Sequence, residues 1–189
     1  MNCKLVGQYV QHLEVMLSPG EDFYAERGSL IYLETGIEKE LSFNGSGIGR
    51  ILSAKLSGES LFILRLYNVS NMPRKLVIGS RHGILPIKLN GESMICHRGV
   101  YICSNNRVNV SSKLSLSGLT GGMGLVLQQI QGASTVFLDT KGTPITVTLQ
   151  PGETIDVDEN HIIAMLNLAD HQVQSNWSLK NFASGEGLS

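Results

Sequence analysis

Three stretches of this chain open with Gly-Glu and close eight residues after the glycine on Gly or Asn, and this spacing limits its folds more than any other feature. They run from Gly20-Glu21 to Gly28, from Gly91-Glu92 to Gly99, and from Gly152-Glu153 to Asn160. Glycine and asparagine tolerate positive φ at least cost, so both ends of each stretch read as turns. Between them the third and fifth positions after the glycine are apolar: Phe23 and Ala25, Met94 and Cys96, Ile155 and Val157. Apolar residues at a period of two predict a short strand held between two turns.

The flanks repeat as well. An alternating strand enters each turn, through Leu13, Val15 and Leu17, then Leu85, Ile87 and Leu89, then Ile145, Val147 and Leu149. Apolar strands leave at Leu30–Leu33, Val100–Cys103 and Ile162–Leu166. A second glycine signature follows at Gly58, Gly122 and Gly185. In the first two units it leads into strand pairs, Leu61–Leu66 with Leu76–Ile78 and Leu125–Leu127 with Thr135–Leu138. Units spanning 1–81, 82–141 and 142–189 are therefore expected to share one continuous assembly. The third unit reads as incomplete, because the sequence stops one residue after its second signature. Either a shortened chain or a strand supplied by a partner is expected there, since an unpaired sheet edge would otherwise stay open. Helical spacing is confined to Ile48, Ile51, Leu52 and Leu56, with shorter equivalents at Leu114–Leu119 and Leu179–Phe182. The expected fold is all-β: an internally repeated sandwich or double-stranded β-helix-like roll.

Composition narrows the function classes. Net charge is −1 with no block of like charges, which argues against a nucleic-acid footprint. Three cysteines, Cys3, Cys96 and Cys103, without a CxxC pair argue against a disulfide framework or structural zinc. The opening Met-Asn-Cys-Lys-Leu-Val has neither a secretory nor a transit pattern, and no apolar run approaches the ~18 residues of a membrane span. A cytoplasmic protein is expected.

The motifs Pro19-Gly20-Glu21 with Tyr24-Ala25-Glu26 and Gly28, Leu56-Ser57-Gly58-Glu59-Ser60-Leu61-Phe62, Thr135–Leu138, and Gly152-Glu153 with Val157-Asp158 and His161–Ala164 resemble the altered-inheritance-of-mitochondria family. Its bacterial members were long treated as a domain of unknown function. The resemblance covers nearly the whole chain and implies a fold similar to that of the tryptophan RNA-binding attenuation protein, a β-roll that assembles into rings. It implies no chemistry. The eukaryotic relatives' link to mitochondrial membrane organisation does not carry over to a sequence without a transit pattern.

Reactive-looking residues each have a structural counter-reading. Cys96 and His97 are adjacent, yet neighbours on a strand point to opposite faces and cannot serve as nucleophile and base. Asp156, Asp158, Glu159 and His161 form the one candidate divalent-metal cluster, with Asp156, Asp158 and His161 as its ligands, although the spacing matches no EF-hand. Glu21, Glu92 and Glu153 suggest a ring of carboxylates, or glutamates that accept backbone N–H bonds in their own turns. The glycine-rich Asn44–Gly49 lacks a phosphate-loop ending, and Trp177 reads as core. The link Ile48–Leu56 could touch a membrane or a partner. No catalytic residue and no cofactor is expected. The reading is a non-enzymatic oligomeric scaffold, a homo-oligomer with a trimer among its forms. The alternatives are a small-molecule or metal-binding β-roll at Asp156, Asp158 and His161, or an RNA-binding ring.

Overall fold

The computed structural model describes residues 1–42, 63–113 and 127–167, and these build two antiparallel sheets. The strands are β1 (Asn2–Val6), β2 (His12–Leu17), β3 (Asp22–Glu26), β4 (Leu30–Leu33), β5 (Ile37–Ser42), β6 (Ile63–Asn68), β7 (Arg74–Gly79), β8 (Gly83–His97), β9 (Tyr101–Ser104), β10 (Asn109–Lys113), β11 (Leu127–Thr140) and β12 (Ala164–Leu166). One sheet has the order β1-β2-β7-β4, and the other β12-β8-β11-β9-β3-β6-β5, with β10 also on β11. Units interleave: β9 pairs with β3 of the first unit, and β12 with β8 of the second.

Alternation places the core. Leu13, Val15 and Leu17 of β2 and Phe23 and Ala25 of β3 are buried, and they pack with Leu66, Leu76, Ile78, Cys103 and Phe137 between the sheets. A second cluster, with Leu89, Met94, Cys96, Tyr101, Ile130, Val136 and Leu138, fills the opposite side of the larger sheet. Each fully buried large apolar side chain contributes about 1.5–3 kcal/mol relative to exposure.

The first two units pair in matching registers. Leu17↔Arg74 corresponds to Leu89↔Ser134, and Phe23↔Leu66 to Met94↔Ile130. Leu41↔Leu64 corresponds to Ser112↔Gln128. Even the irregularities coincide, since β4 on β7 slips between Leu30 and Tyr32 while β9 on β11 slips at the matching place, between Phe137 and Leu138. The start of the third unit follows the rule too, with Cys96↔Ala164 matching Ala25↔Cys103.

Several expectations need correction. The strand expected through Ile145, Val147 and Leu149 is absent; residues 144–156 are exposed and belong to no strand, with Ile145 at 90% exposure. No described strand lies beside them, and an isolated strand leaves its backbone polar groups to water. Gly91 does not end a strand. It takes φ +110° at a bulge inside β8, where two residues face Gly132 of β11. The second unit has one residue fewer than the first between its last core leucine and the glycine, too short for a separate turn. Gly20, Gly99 and Gly152 also take positive φ, but Gly28 does not. Its turn is closed by Ser29, whose N and Oγ both donate to the Glu26 carbonyl, at 3.0 and 2.7 Å. Asn160 sits in a 3₁₀ turn, Glu159–His161, and has no positive φ. Strands β1, β5 and β10 were not foreseen. Gly58, Gly122, Gly185, Trp177, Asn44–Gly49 and the helical links at 48–56, 114–119 and 179–182 lie outside the described residues.

Candidate functional site

The three repeated glutamates perform one structural task. Glu21 Oε2 accepts the Ser18 N–H at 2.8 Å, Glu92 Oε2 the Asn90 N–H at 2.9 Å, and Glu153 Oε2 the Gln150 N–H at 2.8 Å. Each carboxylate folds back over its own glycine and satisfies a donor that the bend leaves unpaired. A shared ring of carboxylates is not what they form.

The cysteine–histidine pair diverges. Cys96 is buried in the second core, and burial pushes its thiol up to about 12. His97 faces outward, its Nδ1 2.8 Å from the Arg98 carbonyl. Burial also raises Cys103 well above the ordinary thiol range; Cys3 on the edge strand β1 is exposed, although partial burial of its thiol raises it as well. The thiolate is the reactive form, so neither buried cysteine is a nucleophile at neutral pH. An aromatic disulfide reagent at pH 8 is expected to titrate one thiol, Cys3, in the native protein and three in denaturant. Three thiols reacting at once under native conditions would contradict the burial of β8 and β9.

Asp156, Asp158 and His161 do not assemble a metal site. Asp158 Oδ1 accepts the Asn160 N–H at 2.9 Å and lies 3.2 Å from His161 Nδ1. The backbone bond first, and the histidine second, hold its carboxyl below the usual range. That carboxylate caps the 3₁₀ turn. Among the described residues no group of three or more His, Cys, Asp or Glu side chains is arranged to hold an ion.

Two clusters were not legible beforehand. Ser80 Oγ bonds Asp139 Oδ1, and His82 Nδ1 lies 3.9 Å from Asp139 Oδ2. Serine, aspartate and histidine thus meet, but in an order that disables hydrolytic chemistry. A catalytic imidazole must lie between serine and carboxylate; here the carboxylate lies between the other two. Ser80 Oγ also accepts the His82 N–H and lies 2.9 Å from the Gly83 carbonyl, so the group secures the bend into β8.

The other cluster lines a depression of about 250 Å³ on the larger sheet, formed by Asp22, Tyr24, Glu40, Leu41, Arg65 and Arg107. Cross-strand register creates it, because Tyr24 and Glu40 both pair with Arg65. The Arg65 guanidinium donates to Asp22 at 3.1 and 3.0 Å and to Glu40 at 3.1 Å, and stands 4.8 Å from the Tyr67 ring centroid. Asp22, then Glu40, raises the Arg65 pKa, while burial raises that of Tyr24, whose hydroxyl donates to Asp22 at 3.3 Å. The fork of Arg65 is thus committed to carboxylates of its own chain. No serine, cysteine or histidine lines this depression.

The described residues define an all-β protein of two antiparallel sheets whose polar clusters tie turns and strand registers. The chain matches the family model described as Mitochondrial biogenesis AIM24 over residues 3–189, and it belongs to that family. It is 24% identical over 186 residues to an uncharacterised protein of Streptococcus pyogenes serotype M6, covering 93% of this chain and 75% of that one. Its fold is similar to the crystal structure of another Streptococcus pyogenes protein, with TM-score 0.74 and 21% identity over 99% of this chain and 86% of the other. Among the described residues no helix is long and apolar enough to cross a membrane.

Proposed function

We propose that this protein is a non-enzymatic β-scaffold whose three Gly-Glu units form one roll and which works through self-association. One observation carries the reading: residues 144–156 keep the apolar alternation that is buried in the first unit and buried or half-buried in the second, yet they are solvent-exposed. Ile145, Val147 and Leu149 stand where Leu13, Val15 and Leu17 are buried. An exposed alternating segment of this kind marks an interaction surface. The binding-site alternative has less support, because Arg65 in the lining of the depression is already engaged by ion pairs to Asp22 and Glu40.

Sedimentation velocity from low to high micromolar concentration tests the proposal. The expected result is a concentration-dependent species at least twice the mass of one chain. A single monomeric species throughout would reject it.

A further inference from the structure

The interleaving of units follows a rule that two strand pairs already obey. The Gly-Glu strand of one unit pairs with the strand leaving the turn of the next: β3 with β9, and β8 with β12. Continuing the rule, the Gly-Glu stretch of the third unit, residues 154–158, needs a strand of the β9 type on its flank. No fourth unit is present among the described residues. One strand of the required type does have a free flank, and it is β4.

The burial pattern shows what β4 lacks. Strand β9 lies between β11 and β3, and all four of its residues, Tyr101–Ser104, are buried. Strand β4 holds the matching place beside β7 but ends its sheet, with no described strand on the other side. Its Ile31 is 60% exposed and its Tyr32 47% exposed, against 4% for Ile102 and 0% for Cys103. Across the molecule, Ile155 is 50% exposed, whereas its counterparts Phe23 and Met94 are at 0%. Each open element lacks what the other one offers. Among the described residues no strand pairs with either.

The geometry points to a head-to-tail contact in which residues 154–158 of one copy add antiparallel to the free edge of β4 in a second copy. This rests on the self-association reading above and assigns its surfaces. The register follows from Ala25↔Cys103 and Cys96↔Ala164, whose third-unit equivalent sets Val157 opposite Tyr32, with Asp156 opposite Leu33. Backbone hydrogen bonds supply the pairing, and the apolar side chains of both edges supply the burial. Because the two surfaces differ, the contact is heterologous and generates rings or open chains.

Opposed charges test the register. Tyr32→Lys and Val157→Lys, each alone, are expected to weaken association about tenfold or more, since a lysine at a strand edge opposes pairing. Tyr32→Lys with Val157→Lys should be weaker still, and Tyr32→Lys with Val157→Glu should recover most of the loss. Sedimentation reads the association, and far-ultraviolet circular dichroism together with the melting temperature confirms that each variant stays folded. If the wild type associates but none of these variants changes it, this contact is wrong while the scaffold reading stands. The contact also fails if the Lys/Glu pair associates no better than the Lys/Lys pair. A wild type that stays monomeric overturns both, and slow amide exchange at 154–158 in that monomer would show closure within one chain.

Discussion

Phe23→Ala is expected to lower stability by about 3–5 kcal/mol, Met94→Ala by about 2–5, and Ile155→Ala by no more than about 0.5, although the three residues hold one position in the repeat. Phe23 pairs with Leu66 and packs between the sheets against Ala25, Leu76 and Ile78, with no exposure. Met94 pairs with Ile130 in the second core and is equally buried. Truncating either removes apolar area from the folded state and leaves a cavity that strands held on both sides cannot close. Ile155 is half exposed, so alanine there deletes surface that water already covers. Urea denaturation at a concentration low enough to suppress association checks the series. Equal losses at all three positions would mean that the third unit is packed like the first two.

That series also marks where the sequence is readable and where it stops. Alternation and apolar runs located β2, β3, β6, β7, β9 and most of β8 and β11, because each buries apolar side chains against a core. It also identified the glutamates as turn locks, a role set by local geometry. It missed β5 and β10, which pair at the flanks of β6 and β11. Their residues, Ile37–Ser42 and Asn109–Lys113, are mostly polar, and backbone pairing holds them. The overcall at Ile145–Leu149 is the converse case. Periodicity reports which side chains want a core, and a strand forms only where a neighbour is present to pair with it. The Ser80–Asp139 and Asp22–Arg65 clusters join residues far apart in the chain, so only the cross-strand registers bring them together. Asp158 and His161 were adjacent in sequence and did meet, but as a turn cap.

The second large effect is expected at Asn68, which no motif flagged. Asn68→Ala should lower stability by about 3 kcal/mol or more, because its side chain is fully buried and all its hydrogen-bonding capacity is used. Nδ2 donates to the carbonyls of Leu17 at 2.9 Å and Met72 at 3.0 Å, while Oδ1 accepts from Ser70 N at 2.9 Å and Ser70 Oγ at 2.7 Å. Its backbone joins the same knot, donating from N to the Glu21 carbonyl and accepting at O from Gly20 N. The side chain thus holds the end of β2 and the bend from β6 into β7, and the backbone of the same residue holds the turn at Gly20. Alanine would strand the Leu17 carbonyl and the Ser70 amide at once, each worth about 1–3 kcal/mol when buried without a partner, while the Met72 carbonyl keeps the Ser70 hydroxyl at 2.9 Å. For a chain of this length the loss corresponds to a fall of roughly 6–12 °C in Tm. Asn68→Asp separates the two halves of the argument: it keeps an acceptor for Ser70 but sets a carboxylate oxygen against two carbonyls, and should be at least as damaging. Thermal unfolding of both variants checks this, and a change under about 1 kcal/mol in either would show that water replaces the amide at this junction.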